Sequence, residues 1–203
     1  MASERKVSNP LALAVMALLF ERPMHAYEMV SLMRERAKHE SVRLRYSSLY
    51  SVVAALEREG LISARGTSRE GRRPERTVYE ITAAGREEFR SWLRELLSEP
   101  KKEYPQFMAG LSFILGVPPD EAVALLEERV RRLEDEVGYA KADLEDNLER
   151  LSLPRLFVIE HEHELMLKEA ELRWVRDLVR QIKDGTLDGV SGWRSFYAEE
   201  AGR

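Results

Sequence analysis

Arginine placement is the first feature of this chain that could do chemistry. Arg65, Arg69, Arg72, Arg73 and Arg76 fall in one short stretch with Glu70 and Glu75, and Lys38, Arg43 and Arg45 lead into the pair Ser47 and Ser48. Clustered guanidinium groups attract phosphate oxygens. Each neutralised phosphate releases counterions, so a duplex nucleic acid held this way should be released steeply by salt. The plain alternative is a charged loop that is merely solvated. Other chemistries are closed off. There is no Cys, which removes disulfides, thiolate zinc ligands and thiol nucleophiles. No Gly-rich phosphate loop or Gly-x-Ser-x-Gly is present, and the carboxylates are spread along helix faces, so neither catalysis nor a cofactor is expected. The run Glu160-His161-Glu162-His163-Glu164 invites a metal, but its histidines are two apart, on different helix faces, whereas ligands on one face need separations of three or four. No metal is expected.

The elements that must position the arginines can be read from the apolar period. The run Leu11 to Phe20 is far short of the roughly 20 residues that span a bilayer. Glu21-Arg22-Pro23 follows it instead of a small-residue cleavage site, so it reads as a buried first helix capped by Asn9 and Pro10, and no membrane partner is expected. A cysteine-free chain without an export signal is expected in the cytoplasm. A second helix is expected over about His25 to Ala37. A third starts at the cap candidates Ser47 and Ser48, buries Leu49, Val52, Val53 and Leu56, and stops at Gly60. The period then alternates: Leu61 to Arg65 and Arg76 to Thr82 read as two strands joined by the arginine-rich loop, and Thr82 caps a fourth helix carrying Phe89, Trp92, Leu93 and Leu96.

Three helices followed by a hairpin with a basic tip is the layout of a winged helix-turn-helix, in which one helix enters the major groove and the wing touches the flanking backbone. If Leu49, Val53 and Leu56 are buried, the opposite face offers Ser47, Tyr50, Ser51, Ala54 and Arg58 to DNA. Alanine supplies no hydrogen bond at Ala54 or Ala55, so base readout is expected to be sparse and shared with DNA shape.

Charge and proline divide the chain. It carries 32 Lys plus Arg against 36 Asp plus Glu, a formal net charge of −4, with the basic excess in residues 1–99 and the acidic excess after Pro100. Pro100 and Pro105 interrupt the helical pattern there, giving an expected division into 1–99, a helical region 100–185 and a tail 186–203. Beyond it a seam at spacings of four and three runs through Leu126, Val130, Leu133, Val137, Ala140, Leu144, Asn147 and Leu151. Pro154 breaks it, and a second seam runs through Val158, His161, Leu165, Lys168, Leu172, Val175, Val179 and Ile182. Two long helices joined by a short turn form an antiparallel hairpin, and pairing of such hairpins makes these seam residues candidates for dimerisation; a monomeric bundle is the alternative. His161 is then an interfacial or a satisfied structural histidine.

The motifs His25-Ala26-Tyr27-Glu28, Ser48-Leu49-Tyr50, Leu56-Glu57-Arg58-Glu59-Gly60-Leu61-Ile62, Gly71-Arg72-Arg73 and Tyr79-Glu80-Ile81-Thr82-Ala83-Ala84-Gly85, in this order, resemble the PadR family of bacterial transcriptional regulators over about residues 10–95. The helical half resembles the C-terminal domain of its longer, virulence-activator-like members. The resemblance implies a mainly α fold with a small β-hairpin and a homodimeric repressor, less often an activator. It further implies a palindromic operator in double-stranded DNA and release by a small, partly aromatic or amphipathic effector. It places Tyr27 near the DNA backbone. The sequence departs from the family at Ala26, where glycine is usual, and at Ser51, Ala54 and Ala55, where a proline and basic residues are common. The alternative reading is a winged-helix protein-interaction module without DNA.

Overall fold

The computed structural model describes residues 7–36, 38, 42, 44–68 and 76–201, and the chain divides into two compact units, Met1–Lys102 and Glu103–Arg203. In the first unit, α1 (Pro10–Glu21) starts where Asn9 accepts a hydrogen bond from the Leu11 amide and proline supplies a preset first φ. The helix is apolar on nearly every side, and Leu11, Val15, Met16 and Leu19 are buried. It is therefore the central post around which the unit packs. β1 (Met24–His25) follows, then α2 (Ala26–Glu35) and α3 (Tyr46–Arg58). α2 begins at Ala26, with His25 as its N-cap residue.

α3 begins earlier than its serines suggest. Arg45 is the N-cap residue, with no side-chain cap, so Ser47 and Ser48 lie inside the first turn. Its end is built from the motif: Gly60 takes a left-handed φ of 69°, its amide donates to the Glu57 carbonyl at 2.9 Å, and the Leu61 amide donates to the Leu56 carbonyl at 2.9 Å. Those two bonds satisfy carbonyls that a helix end leaves open, and glycine adopts the required φ without steric cost.

β2 (Ile62–Ser68) and β3 (Arg76–Ile81) form the wing, and the sheet has three strands in the order β1-β3-β2, all antiparallel. The third strand is the difference from the expected hairpin. It is two residues long, below the reach of any periodicity, and it is pinned by His25, whose Nδ1 lies 3.0 Å from the Thr77 carbonyl. With a carbonyl as acceptor, Nδ1 carries the proton. Thr82 caps α4 (Ala83–Ser98), its hydroxyl accepting from the Gly85 amide at 3.0 Å while its own amide donates to the Leu61 carbonyl at 3.0 Å. A Cβ at Gly85 would lie 1.9 Å from the Leu61 oxygen, so this motif position takes a residue without a side chain.

The second unit holds α5 (Gln106–Ser112), a 3-10 turn (Ile114–Gly116), α6 (Pro119–Glu145), a π-turn (Asp146–Arg150), a 3-10 turn (Arg155–Phe157), α7 (Ile159–Asp184) and α8 (Val190–Ala201). α6 and α7 pack as an antiparallel hairpin. The tail forms α8: Val190 and Trp193 are buried in the same cluster as Leu126, Val175, Val179 and Ile182, and the Trp193 indole donates to the Val117 carbonyl at 3.0 Å. Among the described residues no helix is long and apolar enough to cross a membrane.

Candidate nucleic-acid interface

The buried side of α3 is the one the period predicts, with Leu49, Val52, Val53 and Leu56 in the core. That burial turns Ser47, Tyr50, Ser51, Ala54 and Arg58 outward, while Ser48 is half-buried. Tyr50 leaves about half its surface open, at 55%. The Ser51 hydroxyl donates to the Ser47 carbonyl at 3.1 Å, so it offers an incoming group its lone pairs and suits a base amino group better than a phosphate. Arg45, the uncapped start of the helix, is exposed, and the amides of the first turn have no side-chain acceptor, an arrangement that suits a phosphate oxygen.

The family-like motif at α2 separates into four tasks. His25 ties β1 to the wing strand, Ala26 is buried in the core, Tyr27 is exposed and Glu28 forms an ion pair with Arg22. The Arg22 guanidinium bonded to it holds the Glu28 carboxyl below its ordinary value, and Arg36, donating to Glu21 at 2.6 and 3.0 Å, does the same there. These pairs brace the ends of α1 and α2. Lys38 is half-buried.

On the wing, Ala64 pairs with Tyr79 and Gly66 with Val78, so Arg65 is the extra residue of a β-bulge. A bulge re-aims a side chain out of the ladder, and Arg65 is exposed. It sits 3.8 Å from Glu80, and Arg58 sits 3.6 Å from Glu59; loose exposed pairs of this kind are worth about 0–1 kcal/mol, which a phosphate can outcompete. Arg76 pairs with Ser68 in the backbone ladder. Arg43, Arg69, Arg72 and Arg73 lie outside the described residues.

The seam residues pack the two long helices of the expected antiparallel hairpin against each other. Leu126, Leu133 and Val137 of α6 and Leu172, Val175 and Val179 of α7 are buried against each other within one chain, with Val130 and Leu165 packed beside them. Val158 is buried at the N-cap of α7, Leu144 is half-buried, and His161 lies with Nδ1 3.4 Å from the Asp143 carboxylate. The seam closes the hairpin on itself because two facing helices of one chain satisfy it first. Leu151, the last seam position, is exposed, since the π-turn ends the α-helical phase at Glu145. Among the described residues no three of His, Asp and Glu come together to hold a metal ion.

Sequence reasoning missed an apolar groove in the second unit, of about 780 Å³, where Phe107, Leu111 and Phe113 face Leu125, Leu126 and Leu133. Its walls come from a short helix without a readable period, from α6, and from Lys168 and Glu171 of α7, so no single periodicity in the sequence signals it.

A short helix-turn-helix, an outward α3 face and a bulged wing define a winged helix-turn-helix fold. Residues 15–91 match the Transcriptional regulator PadR-like family. Through these residues the winged unit is similar to the PadR-like transcriptional regulators. It is 25% identical over 141 residues to the Negative transcriptional regulator PadR of Bacillus subtilis (strain 168), covering 70% of this chain and 74% of that one. Among solved structures, Bacillus subtilis PadR in complex with operator DNA matches with TM-score 0.66 and 21% identity, over 85% of this chain and 99% of that one. The same protein in complex with p-coumaric acid matches with TM-score 0.69 and 19% identity, over 85% and 98%. The Vibrio cholerae virulence activator AphA matches with TM-score 0.61 and 16% identity, over 86% and 98%. At these identities the structures establish a shared fold.

Proposed function

We propose that this regulator is a repressor that binds a palindromic operator as a homodimer in the cytoplasm and is released by a small-molecule effector. The observation that carries the DNA-binding part is the outward face of α3, Ser47, Tyr50, Ser51 and Arg58, held by the buried Leu49, Val53 and Leu56 beneath it. The exposed Arg65 on the wing bulge, together with Arg69, Arg72 and Arg73 of the loop, supplies phosphate contacts that carry no sequence information. Tyr27, Lys38, Arg43, Arg45, Ser48 and Arg76 complete the proposed contact set. Repression and effector release are supported by the relative named a negative regulator and by its structures with operator DNA and with p-coumaric acid. A palindrome follows from two-fold symmetry, with half-sites about 34 Å apart, one helical turn of DNA.

Binding to an operator selected from random duplexes, measured over a range of salt, tests the reading. Arg72→Ala with Arg73→Ala should lower affinity alike for all sequences and reduce the salt slope by about 2. Ser47→Ala and Tyr50→Phe should instead change which sequence is preferred. A purified chain that ignores duplex DNA at low salt would refute the proposal in favour of an interaction module.

A further inference from the structure

The outward ridge of α3 lacks the side chains that grip base edges in pairs. Ser47, Ser51, Ala54 and Arg58 follow one another at spacings of four, three and four, so they form one stripe along the side turned from the core, and all four are exposed. From Tyr46 to Ala55 the helix holds no Asn, Gln, Lys or Arg, the residues that make bidentate contacts with adenine or guanine. Its one guanidinium, Arg58, comes in the last turn, 3.6 Å from Glu59 and next to the exposed Glu57, and these carboxylates oppose phosphate. The other end attracts it: Arg45 is exposed and the first-turn amides have no side-chain acceptor. A duplex on this helix therefore sets its base edges against Ser47 to Ala54 and leaves Arg58 to the flanking backbone.

Those turns offer one hydrogen-bond acceptor and one apolar strip. Ser51 has a single hydroxyl proton, and it is committed to the Ser47 carbonyl at 3.1 Å. With only lone pairs left, the oxygen accepts from the amino group of adenine or cytosine. Against the carbonyl of guanine or thymine it sets acceptor against acceptor, and turning the proton outward would break the bond to Ser47. Ala54 presents its methyl one turn beyond Tyr50, which is 55% exposed, so ring and methyl make a continuous apolar strip beside Ser51. Thymine alone carries a methyl group in the major groove.

The spacing allows both contacts together. Ser51 and Ala54 are three residues apart, roughly 4.5 Å along the axis, against roughly 3.4 Å between stacked base pairs, so they fall on neighbouring pairs. We propose that α3 reads its operator through a thymine methyl packed on Ala54 beside Tyr50, and through the amino group of an adenine or cytosine at the neighbouring pair, donated to Ser51. This rests on the DNA-binding reading above and names the bases that its face selects.

Uracil in place of thymine removes the methyl and keeps every hydrogen-bonding group, so it isolates the first contact. In an operator selected from random duplexes by the full wild-type chain, uracil should lower affinity about fourfold at one thymine position, the worth of one buried methyl. Ala54→Gly should bind the thymine and uracil duplexes equally. Glycine weakens a helix, so Ala54→Val is the second variant: its added bulk meets the methyl, and the preference should reverse towards uracil. Repeating the selection with Ser51→Ala should keep the thymine and return all four bases at the neighbouring position. Circular dichroism checks that each variant is folded. Uracil tolerated at every thymine, or a uracil penalty that persists in both Ala54 variants, would overturn the methyl contact and leave DNA binding standing. The wild-type base returned at the neighbouring position by Ser51→Ala would overturn the hydroxyl contact. A wild-type chain that binds duplex DNA but enriches no sequence would overturn the readout alone, and one that binds no duplex at low salt would overturn the DNA-binding reading with it.

Discussion

The winged unit gathers its buried apolar side chains into one core fed by α1, α2, α3, α4 and the sheet, with Leu11, Met16, Met29, Leu49 and Leu56 at or near zero exposure. The helical unit divides its buried side chains into a cluster around Val175 and Ile182 and a smaller one around Leu133. It adds ion pairs that cross the hairpin, Arg129 with Glu171, Arg176 with Glu134, Lys141 with Glu169 and Lys183 with Glu127. Most of the exposed large apolar side chains are also in the helical unit. One region spends its apolar surface on itself; the other holds a thin seam closed with charge and leaves more apolar surface open. The contrast has a physical origin. A central helix that is apolar all round can be wrapped, whereas a two-helix hairpin has one inner face and must leave the outer ones bare.

The largest way to probe that contrast is Leu56→Ala in the winged core. Truncating a fully buried leucine costs about 3 kcal/mol through lost transfer and a residual cavity, and guanidinium unfolding should show one transition weakened while that of the helical unit stays in place. Equal displacement of both transitions would mean that the two units unfold as one. Gly85→Ala comes next, at about 2 kcal/mol in the same transition, because its Cβ must push the Leu61 carbonyl away from the Thr82 amide. Thr82→Ala should cost about 1 kcal/mol, the usual worth of a helix N-cap.

The smallest effect sharpens the other side of the comparison. Hydrogen bonds from Arg132 to Glu128, Arg155 to Glu162, Lys141 to Glu169 and Arg180 to Asp177 each hold the carboxyl below its ordinary value, 4.5 for glutamate and 3.8 for aspartate. A carboxyl whose folded value is lowered adds stability that is present above its unfolded value and lost as pH falls through the folded one. The helical unit's melting temperature should therefore hold from pH 7 to 5 and decline below about pH 4. The winged unit, where Glu21 and Glu28 are the comparable carboxylates among the described residues, should decline less. These pairs are exposed, so the shift is small, and added salt should shrink it further. A winged unit more acid-sensitive than the hairpin would contradict the assignment.

Much of the site was legible before the fold. The helical period of α3 separates Leu49, Val53 and Leu56 from Tyr50, Ser51 and Arg58 because one buried face determines the other. Asn9, Gly60 and Thr82 announce helix ends through local chemistry that needs no distant partner. The strand at Met24–His25 was not legible, since two residues have no period and the partner is more than 50 positions away. Nor was the bulge that turns Arg65 outward, which depends on the register between two strands.

The seam shows where sequence stops. Spacings of four and three determine that Leu126, Leu133, Val137, Leu172, Val175 and Val179 must be covered, because apolar stripes on long helices cannot stay in water. They do not say by what. The tertiary structure decided that the two seams meet each other within one chain, joined by a turn short enough to bring them face to face. Local periodicity records the need for burial; only the folded chain records which surfaces have already met it.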